Sequence, residues 1–119
     1  PQFYSARGPG QLSPLAPAIA CPTYGVLPWG SGWRDFGEQG GGTSSCAPQV
    51  AGALAILDTA YPEAPSALLK AAVCAGASNA ALGKPGVLYD VFSGCGLLRV
   101  DRSLSAARTR AYLHPAFIL

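Results

Sequence analysis

Ser44 stands in the string Gly42-Thr43-Ser44-Ser45-Cys46-Ala47-Pro48-Gln49-Val50-Ala51-Gly52, immediately ahead of an apolar run that ends near Ala60. That is where a nucleophile would be placed. Glycines Gly40 to Gly42 let the backbone turn tightly and leave room for a substrate chain. The apolar run predicts a helix from Ser45 to about Ala60 with Ser44 at its N-cap, and a helix N-terminus carries unpaired N–H groups and partial positive charge. The Ser44 N–H can then donate to an oxyanion forming on the carbonyl that the Ser44 hydroxyl attacks. Pro48 falls in the first helical turn, where its missing N–H costs little. A bare Gly-Thr-Ser ahead of a helix is usually only a turn and a cap, so the functional weight rests on how far the pattern extends.

The other reactive side chains offer less. Cys46, two residues after Ser44, reads as a packed side chain in the first helical turn. Ser44, Asp90 and His114 follow the Ser, Asp, His chain order of α/β-hydrolases, but that fold needs Gly-x-Ser-x-Gly and Cys46 breaks the pattern. His114, the single histidine, lies beside Pro115 in a tail and reads as exposed. The six acids, Asp35, Glu38, Asp58, Glu63, Asp90 and Asp101, are too scattered for a carboxylate pair or a calcium loop. The four cysteines, Cys21, Cys46, Cys74 and Cys95, contain no C-x-x-C pair and have one histidine to assist, so no zinc site is expected. They allow three pairings; Cys46 and Cys74 are expected as buried thiols on their helices.

Around these residues the chain has 119 positions, 50% of them hydrophobic and 12% charged, with 15 glycines and 11 prolines. That supports one core. No stretch reaches the ~20 apolar residues of a membrane span, and Val50 to Ala60 is interrupted by Gly52 and Asp58. The net charge of +2, with Arg99, Arg102, Arg108 and Arg110 near the end, is too weak for a nucleic-acid surface. The absence of Met suggests a piece of something longer. Residues 1–41 read as loops around short strands at Ala18–Cys21 and Gly25–Leu27. Trp29 to Gly42 reads as an exposed or ligand-facing loop whose Trp29, Trp33 and Phe36 fold back on the body. The Ser45–Ala60 helix is apolar on nearly all sides, with Val50, Leu54, Ile56 and Leu57 among alanines, which predicts burial between layers. Pro62 and Pro65 stop it, and Ser66 caps a second helix through Leu68, Leu69, Ala72 and Val73 to about Ala75. A Gly/Asn/Pro loop and an apolar segment at Val87–Phe92 follow, and a last helix runs from Asp101 or Ser103 to Arg110.

The Ser44 string with its apolar helix closely resembles the nucleophile segment of the subtilisin-like serine peptidases. Phe3-Tyr4-Ser5-Ala6-Arg7-Gly8-Pro9 resembles that family's Ser-Ser-Arg-Gly-Pro turn, and Pro17-Ala18-Ile19-Ala20-Cys21-Pro22-Thr23 its Pro-Asp-Val-x-Ala-Pro-Gly strand, with Ala18 and Thr23 departing from the pattern. Pro62 and Pro65 to Ala75 match its second helix. Gly94-Cys95-Gly96-Leu97-Leu98-Arg99-Val100-Asp101 matches its closing strand. The likeness covers about residues 3–107. It implies an α/β fold, the C-terminal portion of a doubly wound, largely parallel sheet, with residues 1–107 belonging to a peptidase domain and 108–119 forming a tail. It also implies an Asp, His, Ser triad in which Ser44 is the serine, while the Asp, the His and the oxyanion Asn lie on an upstream half of the same peptidase. The implied partners are that upstream half and a peptide or protein substrate, with no cofactor, and the implied location is secreted or extracytoplasmic. The chain alone is then expected to be inactive. The alternative is a catalytically incomplete subtilisin-like fragment or pseudo-peptidase that serves as a folding or peptide-binding partner.

Overall fold

The structure, a computed structural model, describes residues 4–11, 16–28, 36–40 and 42–109. Two strands come first, β1 (Tyr24–Pro28) and β2 (Phe36–Gly40), then three helices, α1 (Cys46–Ala60), α2 (Ser66–Gly76) and α3 (Val100–Arg108). Short 3-10 turns occupy Thr43–Ser45 and Ala80–Leu82.

The helices lie close to where periodicity and punctuation put them. The last turn of α1 closes with the Tyr61 N–H donating to the Leu57 carbonyl (2.9 Å), and Pro62 and Pro65 prevent continuation. Pro65, not Ser66, holds the N-cap position of α2, in extended conformation and without a side-chain cap. The core gathers Leu57 of α1, Ala64 of the connection, Leu68, Leu69, Ala72 and Val73 of α2 and Ala107 of α3. Helices α2 and α3 approach closely because small residues meet: a Cβ on Gly76 would collide with the backbone N and the hydroxyl of Ser103. The buried Ser103 hydroxyl is satisfied locally by the Arg99 carbonyl (2.8 Å). Tyr61 reaches across, its hydroxyl donating to the Leu104 carbonyl at 3.3 Å.

The expected doubly wound, largely parallel α/β sheet is not what the chain forms. The described residues make a small helical domain with one antiparallel ribbon, in which Tyr24 pairs with Gly40 and Pro28 with Phe36. The reason is connectivity. A parallel neighbour needs a crossover of a dozen or more residues, whereas only positions 29–35 separate β1 from β2. The remaining candidate strands never extend. Ala18–Cys21 lies between Pro17 and Pro22, which have no N–H to donate, and makes one isolated parallel bridge, Ala20 to Leu97. The closing Gly94–Asp101 segment is not a strand either, because α3 begins at Val100. The 29–42 loop is corrected in part: Phe36–Gly40 is paired strand, while Trp29 and Trp33 lie outside the described residues.

Helix α1 also departs from expectation. Only Ala53 and Leu57 along it are buried, and Ile56 is 51% exposed. It is covered on one side, by α2 and α3. The 87–92 segment likewise turns its apolar side chains outward, with Leu88 89% exposed.

Beneath that segment lies a small polar core. Asn79 (2% exposed) donates to the carbonyls of Val87 (3.2 Å) and Gly94 (3.1 Å) and accepts from the Ser93 hydroxyl (2.7 Å). The Asp90 carboxylate takes the Lys84 ammonium at 2.7 Å and accepts from the Phe92 N–H at 2.9 Å. Lys84 and Arg7 also stand 5.2 and 5.0 Å from the centre of the Phe92 ring. The hydrogen bond from Lys84, with smaller help from the Phe92 N–H, holds the Asp90 carboxyl below its ordinary value of 3.8.

Two predictions follow from this packing. Leu57→Ala should cost about 2–5 kcal/mol in urea unfolding, whereas Ile56→Ala should stay within about 0.5 kcal/mol; equal costs would mean that the outer side of α1 is covered. Because the Asp90 pKa is depressed on folding, its stabilisation is present above the unfolded value and is lost as pH falls through the folded one. Lys84→Met should therefore raise the Asp90 titration midpoint, read by carboxyl NMR, and move acid unfolding to higher pH. An unmoved midpoint would show that Lys84 does not set it.

Candidate functional site

The chain enters the site through Gly42, which is extended (φ −93°, ψ −170°), and then tightens into the Thr43–Ser45 turn. The Ser45 N–H donates to the Gly42 carbonyl at 3.0 Å and the Cys46 N–H to the Thr43 carbonyl. Helix α1 continues directly from this turn with Ser45 in the N-cap position, so Ser44 lies one residue ahead of the cap it was expected to occupy and makes no capping bond. Ser44 is exposed. Among the described residues neither its hydroxyl nor its N–H has a hydrogen-bond partner. The first turn of α1 carries no acidic side chain, leaving its positive end uncompensated. A free hydroxyl and a free N–H at the positive end of a helix are what attack on a carbonyl and stabilisation of the resulting oxyanion require.

Beside the turn opens a cleft of about 640 Å³. Tyr4, Ser5 and Ala6 line it from the N-terminal segment, Cys21, Pro22 and Thr23 from the segment before β1, Thr43 from the turn and Cys46 from the start of α1, with Leu82, Phe92 and Leu97 behind. Gln49 ties these walls together. Its side-chain amide donates to the Pro22 carbonyl at 2.7 Å and to the Ser45 carbonyl at 2.8 Å. Sequence reading passed over this residue; the signal for it was a glutamine in the first turn of an otherwise apolar helix.

Cys46 is half-buried rather than fully packed, and it faces another cysteine, Cys21, across the same cleft. Burial first, and the Cys46 contact second, push the Cys21 thiol up to about 12. Cys74 and Cys95 meet in the same way, and burial followed by the Cys74 contact pushes Cys95 up to about 11. Cys46 and Cys74, expected as buried thiols, are therefore half-buried and each faces another cysteine. No spacing in the sequence signals this, because both contacts depend on tertiary packing.

Among the described residues no acid or base is hydrogen-bonded to Ser44. The carboxylate of Asp90 is engaged by Lys84, Phe92 and Ser93 within its own turn. Asp101 sits in the first turn of α3 and pairs with the Arg99 guanidinium through two bonds of 2.9 and 3.1 Å, which lowers its pKa. Asp58 and Glu63 are exposed. Asp35 and His114 lie outside the described residues, and Glu38 is placed only as a residue of β2. Among the described residues no three metal-ligating side chains cluster, and no helix is long and apolar enough to cross a membrane. The structure thus presents Ser44 and an adjoining cleft, while an imidazole base is not among the described residues. No family model, curated protein or solved structure matches this chain.

Proposed function

We propose that this chain carries the nucleophile segment of a serine endopeptidase, with Ser44 as the attacking residue and with the base and its orienting acid supplied by a segment outside these 119 residues. The observation that carries the reading is the exposed Ser44, its hydroxyl and N–H both unengaged among the described residues, at the uncompensated N-terminus of α1 and beside a cleft. The resemblance of the surrounding motif to the subtilisin-like peptidases supports the reaction class, although the described residues do not form the sheet implied by that resemblance.

In the proposed reaction the Ser44 Oγ attacks the peptide carbonyl as an imidazole on the supplied segment takes its proton. The N–H of Ser44 donates to the oxyanion. The imidazolium returns the proton to the departing amine, and water then hydrolyses the acyl-Ser44 ester. Extended substrate would lie in the cleft beside Thr43, its walls held by Gln49.

The Ser44 hydroxyl by itself is a poor nucleophile at neutral pH, so the isolated chain should neither cleave peptides nor react with a fluorophosphonate probe. Joined to the upstream segment of the same peptidase it should do both. Ser44→Ala in that assembly should lower kcat by several orders of magnitude without unfolding it, and His114→Ala should change nothing. Labelling at a residue other than Ser44, or loss of turnover with His114→Ala, would overturn the mechanism. An assembly that stays unlabelled with all its parts present would favour a catalytically incomplete folding or peptide-binding partner.

A further inference from the structure

We propose that the four cysteines close as two disulfides, Cys21–Cys46 and Cys74–Cys95, the first tying the cleft wall to the turn that carries Ser44. Sequence leaves three pairings open, and the fold brings together only these two: Cys21 and Cys46 share the large cleft, and Cys74 and Cys95 share a second cavity of about 410 Å³. In each pair the two thiols are near enough for one to perturb the other.

Main-chain and amide bonds hold both contacts independently of the sulfurs. Gln49 grips the Pro22 carbonyl and the Ser45 carbonyl, the neighbours of Cys21 and Cys46, at 2.7 and 2.8 Å. At the other pair, Ser78 and Leu97 exchange two N–H to carbonyl bonds of 3.1 Å, and the Cys95 N–H donates to the Ala18 carbonyl at 2.9 Å. Backbone that is already bonded thus keeps the two segments of each pair together, so closing a disulfide does not first require them to be brought near. No third metal-ligating side chain joins either pair among the described residues.

Closure needs an oxidant of the disulfide class. A protein thiolate attacks glutathione disulfide, breaking its S–S bond, forming a mixed disulfide and expelling one glutathione thiolate. The second protein thiolate then attacks the mixed disulfide, forming the protein S–S bond and expelling the second glutathione thiolate. The two protons of the protein thiols end on the two glutathiones, so two cysteines are oxidised and one glutathione disulfide is reduced. Burial, which raises Cys21 and Cys95, keeps reshuffling slow without changing the end point. The pairing holds whether or not Ser44 is a nucleophile, and its test reads no activity.

The test oxidises the full chain in a glutathione redox buffer, then denatures it without reductant, alkylates it and maps the linked peptides. Trypsin separates Cys21 from Cys46 at Arg34 and Cys46 from Cys74 at Lys70; an Asp-directed peptidase separates Cys74 from Cys95 ahead of Asp90. The expected result is no alkylated cysteine, a mass lower by two hydrogens per bond, and the two predicted linkages alone. Oxidation in strong denaturant should instead give a mixture of all three pairings, the reference for native selectivity. Reduction should lower Tm by roughly 10 °C or more. In Cys46→Ser, Cys21 should become alkylatable while Cys74–Cys95 stays closed. Any other linkage in the native chain, four alkylatable thiols after oxidation, or a native mass carrying zinc that releases free thiols on chelation would overturn the proposal. One closed pair without the other would overturn it for the open pair.

Discussion

The backbone of residues 95–98 is hydrogen-bonded along both edges, and the arrangement of the site depends on that double attachment. On one side the Cys95 N–H donates to Ala18, the Ala20 N–H to Gly96 and the Leu98 N–H to Ala20, each at 2.9 Å. On the other, Leu97 and Ser78 exchange a pair of bonds. The N-terminal segment contributes little to the core beyond Ile19, so these bonds hold the cleft wall against the helical body. The close approach is possible because Gly94 and Gly96 have positive φ (62° and 112°), and side chains there would run into the backbone of Pro17 and Ala18 and of Ser78 and Asn79. Glycine is the residue that tolerates both the conformation and the proximity.

Helix α1 receives its position from the same body but only half its cover. Leu57 is sealed into the core while Ile56, next in line, is half in water. A helix with an apolar surface nearly all round is costly to leave this way, because exposed apolar area forgoes about 25 cal/mol per Å². The N-terminus of that helix is nevertheless firmly set, since Gln49 anchors its first turn to Pro22. The site therefore combines a fixed turn with an open flank along the helix that follows it.

The helices were legible because their signals are local. Apolar spacing with Pro62, Pro65 and Gly76 as punctuation located α1 and α2 to within a residue, and the turn ahead of α1 was legible because turn and helix are contiguous in the chain, although the cap falls on Ser45 rather than Ser44. What failed was everything that depends on distant partners. Phe36–Gly40 is a strand with two glycines and no hydrophobic alternation, and only its pairing with Tyr24–Pro28 makes it one. The parallel sheet implied by resemblance required neighbours that Ala18–Cys21 and Leu97 do not have among the described residues. The cysteine contacts, the Gln49 staple and the exposure of Ile56 are likewise products of packing, without a periodic trace in the sequence.

The bridge between Ala20 and Leu97 joins residues far apart along the chain, and this has a consequence for the order of assembly. The α1–α2 hairpin can form from neighbouring residues at small loop-closure cost. The bonds of Ala18 and Ala20 cannot, because residues 95–98 follow both helices in the chain. The helical hairpin can therefore form while Ala18 and Ala20 still lack their partners, and that edge of the cleft wall closes later.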